Sequence, residues 1–181
     1  DERIYQNLLA RARAEYAAIQ GIIAGAGTET ELRNVNKGET IASVIDGASC
    51  NSSGTHVHFI VQDGGSVNNP FDYLHDVAHE NDSGDPWTPN ASKANWDWPL
   101  SPTIYLHQGF GVTSCVTSGW CGQIYSSHNG LDFSGSSSNV TAVADGTLYR
   151  GSYSGGCTLP YTKVVHKDSN ITTLYLHTYT Q

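Results

Sequence analysis

Charged residues are scarce in this sequence, and basic ones are the scarcest. Asp, Glu, Lys and Arg make up 14% of the 181 residues, and nine Lys and Arg stand against 17 Asp and Glu, for a formal net charge of -8. Nucleic acids and anionic membrane surfaces are bound by clustered basic side chains. The nine basic residues are scattered, so the composition argues against both as ligands.

Long apolar runs are also lacking. No stretch of 18 or more apolar residues occurs, and the start DERIYQNLL has neither the basic nor the apolar region of a signal peptide. We therefore expect no membrane insertion in this chain.

The sequence has four cysteines and no CxxC pair, which argues against a zinc-thiolate site. Cys50, Cys115, Cys121 and Cys157 lie in loop sequence rich in Gly, Ser and Thr. An even number of such cysteines predicts two disulfides and an oxidising compartment. Cys115 and Cys121 close a short loop, which leaves Cys50 with Cys157 by elimination. Four free thiols in a cytosolic protein are the alternative.

The first 26 residues differ from the rest of the chain. Apolar residues recur there at steps of three or four positions, at Ile4, Leu8, Ala12, Tyr16, Ile19 and Ile23. This spacing predicts an amphipathic helix over about 1–26, ended by the glycines of GIIAGAG. It is also typical of the end of a coiled coil, which favours a partner helix or a homodimer.

From Leu32 onward, short apolar segments alternate with Gly, Asp and Asn turns. Examples are NKGETIASVIDG, THVHFIVQDGG, SPTIYLHQGFG, VTAVADGTLYRG, YTKVVHKDSN and ITTLYLHTYT. They predict a mainly β fold with antiparallel strands over 32–181. Residues of about 72–98, rich in Asp, Asn, Pro, Ser and Trp without periodicity, are expected to form a long polar loop.

Two histidines one residue apart stand in SSGTHVHF. On an extended strand, His56 and His58 would point to the same side, because strand side chains alternate. In SSHNGLDFSG, the Asn-Gly turn can bring His128 and Asp132 together at its two ends. His177 follows the apolar strand ITTLYL. Taken singly, each pattern is as easily explained by a half-buried strand or turn.

Taken together, these residues predict a zinc site. One His and one Asp from HNGLD and one His from HVH, with water, would complete a tetrahedral catalytic zinc that lowers the pKa of that water. His177 and the other histidine of HVH would then accept the proton of the water and stabilise an oxyanion during amide hydrolysis. These patterns do not decide which member of HVH is the ligand.

The motifs resemble those of the lysostaphin-type, or LytM, zinc endopeptidases of bacterial peptidoglycan. That family carries an HxxxD, then a Tyr-x-His, then an HxH preceded by Ser-Thr-Gly. HNGLD, LYLH and SSGTHVHF are similar to these motifs, as are VTAVADGTLYRG, NVNKGETIASVIDG and NNPFDYL to the segments around them. The resemblance covers about residues 32–74 and 98–181. It implies an antiparallel β-sheet with a substrate groove.

The order of the motifs departs from the family, because the HxH segment comes first here. The sequence is similar to a circularly permuted LytM domain, in which a link from Gln181 to about Leu32 would restore the usual order. Chain ends often lie close together at the surface, so such rewiring can preserve a fold. The alternative is that the two segments belong to incomplete domains that pair between chains of a swapped dimer.

The resemblance implies that His58, His128 and Asp132 are the zinc ligands and that His56 and His177 are the catalytic pair. It implies one zinc ion per chain, peptidoglycan peptides as substrate and an extracytoplasmic location. A non-catalytic LytM-like module that binds the cell wall or a partner is the alternative function. His75 and His79 in HDVAH could form a second metal site, but the motif lacks the glutamate of HExxH and lies in the polar loop, so none is expected there. His107 and His166 are expected to be structural or to line the groove.

Overall fold

The N-terminal segment forms a single helix, α1 (Glu2–Ile23), in the computed structural model, which describes residues 1–47, 49–50 and 54–181. The Asp1 carboxylate caps the helix by accepting the backbone N–H of Arg3 at 2.8 Å. Beyond the helix, Gly25 has a φ of +83°, a conformation that glycine adopts without strain. The predicted N-terminal helix is confirmed.

Only part of the apolar stripe of α1 is buried. The buried positions are Leu9, Ala12, Ala18, Ile19 and Ile22. Ile4 and Leu8, nearer the start, are 59% and 52% exposed. The helix therefore packs on the domain from Leu9 onward. No helix in the described part of the chain is long and apolar enough to cross a membrane.

Strands dominate the rest of the molecule. They are β1 (Thr28–Val35), β2 (Thr40–Val44), β3 (Val57–Asp63), β4 (Ser66–Asn68), β5 (His79–Asn81), β6 (Ile104–Gln108), β7 (Leu131–Ser134), β8 (Asn139–Thr141), β9 (Gly146–Ser154), β10 (Thr158–His166), β11 (Ile171–Leu176) and β12 (Thr178–Thr180). A short helix α2 (Ser114–Ser118) and 3-10 turns at Pro70–Asp72 and Trp120–Gln123 complete the elements. Strands make up 40% of the chain and helices 19%, which confirms the mainly β prediction.

The strands form two sheets. The larger has the order β1-β9-β10-β11-β3-β7-β6-β5, with β4 paired to β3, and the smaller has the order β12-β2-β8. All pairs are antiparallel except β5 with β6. Successive residues of β3 are buried on opposite faces of the sheet. Phe59 packs on Phe133 and Tyr175 on one face, and Ile60 lies on the other face in the apolar cluster that contains residues of α1. This strand is thus covered on both faces.

The segment predicted as a polar loop is tied into the core at several points. Strand β5 pairs with β6, Trp96 stacks on Tyr73 at 4.9 Å between ring centroids, and Trp98 meets Phe133 edge-on at 5.0 Å. Both tryptophans are buried, at 8% and 4% exposure. Aromatic residues bury large apolar areas without periodic spacing, which is why the sequence pattern did not reveal their packing.

Both predicted disulfides are present. Cys50 and Cys157 lie 5.2 Å apart between Cα atoms, and Cys115 and Cys121 lie 5.1 Å apart. The first joins the chain before β3 to the turn between β9 and β10. The second closes the loop that holds α2. Two disulfides fit a protein of an oxidising compartment.

Candidate metal centre

The pairing of β3 with its two neighbours brings the predicted ligands together. On one side, His58 lies opposite Leu176 of β11, and on the other it lies opposite Asp132 of β7. His128 precedes β7 and pairs with Gly111 through backbone hydrogen bonds of 2.8 Å in both directions. One candidate ligand on each of two adjacent strands, His58 and Asp132, thus meets a third, His128, from the turn that leads into β7.

Gly130, within the turn, permits this close approach. A Cβ atom at that position would lie 2.8 Å from Nε2 of His58, closer than real Cβ contacts come. The Asn-Gly pair that predicted a turn therefore has a second role. It leaves room for the imidazole ring of His58 beside the chain that carries His128 and Asp132.

The three side chains converge on one point. Nδ1 of His58 lies 3.6 Å from Oδ1 of Asp132, and Nε2 of His128 lies 3.3 Å from Oδ2. Each of the three side chains offers one ligand atom, and these three atoms all lie within 4.8 Å of one another. Both histidines are only 4% exposed. Among the described residues, this is the only group of His, Cys, Asp and Glu side chains with that geometry.

The outer nitrogen of each ligand histidine has a hydrogen-bond acceptor. Nε2–H of His58 donates to Oδ1 of Asn129 at 2.9 Å, and Nδ1–H of His128 donates to the carbonyl oxygen of Gly109 at 2.7 Å. These bonds select the tautomers in which Nδ1 of His58 and Nε2 of His128 present lone pairs to Asp132. Oδ1 of Asp132 is itself buried without a hydrogen-bond partner among the described residues. Two lone pairs and a carboxylate that face one another fit a divalent cation between them.

The charges of the centre support the same conclusion. Burial lowers the pKa of His58 to about 3, against the opposing effect of Asp132. Burial disfavours the ionised form of Asp132, but His128 and His58 outweigh it and hold the pKa of the carboxyl well below its usual range. Burial likewise disfavours the charged form of His128, and the field of Asp132 outweighs it and raises that pKa. Asp132 is therefore ionised and His58 neutral at neutral pH, the states in which both can bind metal. The raised pKa of His128 favours its protonated ring, which would release its proton when a cation binds.

His56 and His177 lie beside this cluster. Their ring centroids are 4.7 Å apart, and Nε2 of His56 is 3.8 Å from Oδ1 of Asp132. Nδ1–H of His56 donates to the carbonyl oxygen of Gly54 at 3.1 Å, which directs Nε2 inward. The side chain of His56 is 19% exposed, whereas that of His177 is 3% exposed. The structure thus brings all five predicted site residues together.

His177 is covered by helix α1. Its Nε2 lies 3.0 Å from Oε1 of Glu15, and its Nδ1 is buried without a hydrogen-bond partner among the described residues. The residue has a φ of +66° at the junction of β11 and β12. The ring of His177 thus lines the cavity beside the cluster but is shielded from solvent, with Glu15 against its Nε2.

A cavity of about 290 Å³ opens beside the cluster. One wall is α1, through Ala12, Glu15, Tyr16 and Ile19, and the opposite wall includes Trp120 and Tyr125. Tyr16 stacks on Tyr125 at 5.3 Å between centroids. Burial raises the pKa of Tyr125 to about 12, so the phenol stays protonated near neutral pH. The cavity is enclosed by the helix and by the disulfide-closed loop.

Sequence patterns did not identify several residues of this site. Glu15, Asn129, Gly109, Tyr125 and Trp120 all contact or enclose it. The sequence pattern gives Asn129 only a turn role, and Glu15 is typical of a polar residue on an amphipathic helix. None of them has a spacing that distinguishes it from a surface residue, so no local pattern could have identified them.

The remaining histidines have other partners. His75 bonds to Asp97 at 2.6 Å, and His79 stacks on Trp87 at 3.9 Å. His107 bonds to the hydroxyl of Ser134. His166 is buried, and its ring nitrogens bond to the Asp145 carbonyl oxygen and the Thr173 hydroxyl.

Comparison of the chain with protein-family models, with curated proteins and with solved structures gave no match. The sequence motifs and the geometry of the centre are therefore the basis for inferring the function of this chain.

Proposed function

We propose that the chain is a zinc-dependent endopeptidase that hydrolyses peptide bonds in the stem peptides or cross-bridges of peptidoglycan. Its domain over 32–181 would be a circularly permuted LytM-type domain. The observation that carries the proposal is the position of β3 between β7 and β11. Because of it, the HxH, HxxxD and Tyr-x-His motifs meet at one cavity despite their altered order.

The donor set fits zinc. Two imidazole nitrogens and one carboxylate are a set found in catalytic zinc sites, which leave a further position open for water or substrate. When bound there, the ion would supply Lewis-acid activation of water and of the scissile carbonyl group. Held by Asn129 and Gly109, His58 and His128 would keep their inner nitrogens directed at the ion.

His56 and His177 would carry out the proton transfer and oxyanion stabilisation. One of them accepts a proton from the attacking water, and the other donates a hydrogen bond to the oxygen that becomes negative in the transition state. The bond from Nδ1–H of His56 to Gly54 leaves Nε2 as the reactive nitrogen of that ring. For His177, the same role requires that Glu15 move away from Nε2.

The contacts of Gln181 support the permutation. The backbone N–H of Gln181 donates to the carbonyl oxygen of Ile41 at 2.8 Å, and Nη1 of Arg33 donates to the carbonyl oxygen of Gln181 at 2.6 Å. The last residue thus lies beside the segment that begins at Leu32. A direct link between them would restore the run from LYLHTYTQ into the Lys-Gly-Glu turn.

An extracytoplasmic location follows from the proposal and from the cysteines. Peptidoglycan lies outside the cytoplasmic membrane, in compartments where disulfides form and persist. The two disulfides, one of which closes the loop carrying Trp120 at the edge of the cavity, support this assignment.

A second candidate is a non-catalytic module that binds the cell wall or a protein partner. The observation that favours it is the contact of Glu15 with His177, which leaves the histidine covered. The preserved metal donors favour the enzyme, since a binding groove has no need of a converging His, His and Asp.

Zinc content and chelation test the proposal. Protein purified without chelators should contain one zinc per chain by elemental analysis. It should release peptide products from purified peptidoglycan, detected by mass spectrometry, and a chelator should abolish the release until zinc is restored. We expect this because the cluster lacks the charge needed to polarise a carbonyl group without the ion.

The Asp145→Asn variant is a matched control. It alters an exposed carboxylate that accepts the Lys37 backbone N–H at 2.7 Å and, among the described residues, no other hydrogen bond. It should cleave like the wild type and respond to the chelator in the same way. Cleavage unaffected by the chelator would refute the zinc mechanism, and far less than one zinc per chain would favour the binding module. Digesting peptidoglycans with different cross-bridges would then identify the scissile bond.

A further inference from the structure

Asp85 is a buried carboxylate in the segment between β5 and β6. It is 8% exposed, and it lies outside the two segments that carry the resemblance. Its Oδ2 accepts the backbone N–H of Gly109 at 2.9 Å, and its Oδ1 accepts the backbone N–H of Ser114 at 2.7 Å. One side chain thus ties the end of β6 to the start of α2.

Gly109 links this carboxylate to the metal centre. Its N–H group is held by Asp85, and its carbonyl oxygen accepts Nδ1–H of His128 at 2.7 Å. Two residues further on, Gly111 exchanges a pair of backbone hydrogen bonds with His128. Residues 109–111 are therefore held between Asp85 on one side and the ligand histidine on the other.

The packing at this junction leaves little freedom. A Cβ atom on Gly109 would lie 3.0 Å from Cβ of Asp85, a tighter contact than most real Cβ atoms make, so the Asp85 side chain packs closely on the backbone of Gly109. An ionised carboxylate is costly to bury unless its oxygens are hydrogen-bonded, and both oxygens here accept backbone N–H groups. Movement of Gly109 would break one of these bonds and would displace the acceptor that sets the tautomer of His128.

We propose that Asp85 is a positioning residue of the metal centre, which acts through the Gly109 carbonyl group to hold Nε2 of His128 toward the ion. The inference rests on the metal site of the proposed function. On this inference, the segment between residues 74 and 98 both connects the two motif-bearing segments and helps to build the metal site.

The Asp85→Asn variant tests this role. Asparagine keeps the size of the side chain but replaces one acceptor by an NH₂ group, so that the N–H of Gly109 or of Ser114 loses its partner. Loss of groups that orient a metal ligand weakens affinity by about 10–100-fold. Since Asp85 acts through one further residue, we expect zinc affinity, measured by competition with a chromophoric chelator, to fall by about tenfold.

Two further measurements separate positioning from a general loss of structure. In the zinc-free protein, the slowly exchanging Nδ1–H proton of His128 should be visible by NMR in the wild type and weakened or absent in the variant. The Ser114→Ala variant is the matched control: it removes the hydroxyl bond to the Gly84 carbonyl at the same junction, at 3.0 Å, and leaves the bonds of the carboxylate intact. It should bind zinc like the wild type.

Wild-type zinc affinity and an unchanged Nδ1–H signal in folded Asp85→Asn protein would overturn the inference. Equal losses in Asp85→Asn and Ser114→Ala would also overturn it, because the junction and not the carboxylate would then be responsible. If Asp85→Asn does not fold, Asp85→Glu is measured instead, because it displaces both oxygens by one methylene group. Wild-type zinc affinity in Asp85→Glu would likewise overturn the inference.

Failure of the proposed function gives a different result. If wild-type protein binds zinc but cleaves no peptidoglycan, the affinity comparison still decides the role of Asp85. If it binds no zinc at all, the metal proposal fails, and the Nδ1–H signal alone decides whether Asp85 orients His128: its persistence in the variant overturns the inference, and its loss supports it.

Discussion

His56 and His58 differ in their surroundings although a single valine separates them. His58 is 4% exposed, and Asn129 holds its outer nitrogen, so its inner nitrogen can only face Asp132. The side chain of His56 is 19% exposed and borders the cavity. The difference supports a ligand role for His58 and a catalytic role for His56, a division that the HxH spacing alone leaves open.

Replacement of His177 separates catalysis from metal binding. His177→Ala should retain zinc affinity, because the ring is outside the converging ligand set, and should lose about 10²–10⁴-fold in cleavage rate, the usual contribution of a general acid or base. Zinc titration and single-turnover cleavage would measure the two effects. Asp145→Asn serves again as the control, and loss of zinc binding in His177→Ala would show that His177 has been misassigned.

His58→Ala gives the complementary result. It removes a ligand and leaves Asp132 with a buried charge that has lost one partner, so both zinc binding and cleavage should be lost. Retained stoichiometric zinc in this variant would mean that His56 or another side chain is the ligand. Elemental analysis and the cleavage assay, carried out on the same preparation, decide between these outcomes.

Helix α1 is the element whose role is least evident from sequence. It forms a wall of the cavity, and its Glu15 contacts the buried His177. The helix joins the domain through GAG, where Gly25 has a positive φ, and its first two turns are exposed. Five of its residues are buried against the domain, Leu9, Ala12, Ala18, Ile19 and Ile22, and a contact of this size permits partial release of the helix.

Release of this contact should increase cleavage. In Glu15→Gln, the negative charge that lies 3.0 Å from Nε2 of His177 is removed. An ion-pair contact of this kind contributes about 1 kcal/mol, so the population in which His177 is uncovered, and with it the cleavage rate, should rise by about fivefold. Initial rates on soluble muropeptides at fixed zinc would measure the change. Glu2→Gln removes the same charge from an exposed position of the same helix and should have no effect.

A decrease in rate for Glu15→Gln would contradict this expectation. It would show that Glu15 orients His177 for catalysis and does not cover it. Equal changes in Glu15→Gln and Glu2→Gln would indicate an effect of net charge on substrate binding.

One chain contains all three candidate ligands. His58 comes from the HxH segment before residues 72–98, and His128 and Asp132 come from the segment after them. Strand β3 pairs with β7 within the same chain. The segment between them, about residues 72–98, contributes β5, two buried tryptophans and Asp85, which makes it part of the domain. A monomer is therefore sufficient for the site, whereas a swapped dimer would form it from two chains.

Mixing two defective variants distinguishes a monomer from a swapped dimer. His58→Ala and His128→Ala should each lack the metal, and unfolding and refolding them together should restore neither zinc nor cleavage, because each chain carries its own damaged site. In a swapped dimer, each site would take His58 from one chain and His128 from the other. A dimer of the two variants would then contain one site with both histidines intact, and this site would bind zinc. Elemental analysis after removal of free zinc, with co-refolded wild-type protein as the control, gives the measurement.

The sequence predicted the helix, the strands, the disulfides and the candidate ligands. Helical spacing indicated α1, and alternation with turn residues indicated the strands, because both depend on neighbours along the chain. The short Cys115–Cys121 spacing indicated one disulfide and left Cys50 with Cys157, although these two lie 107 positions apart. Which atoms meet follows from the folded chain. The acceptors for His58 and His128 lie 71 and 19 positions away, and Asp85 lies 24 positions from Gly109. Strand pairing creates such contacts, and residue spacing carries no record of them, so the cover over His177 and the support for His128 could be recognised only in the folded chain.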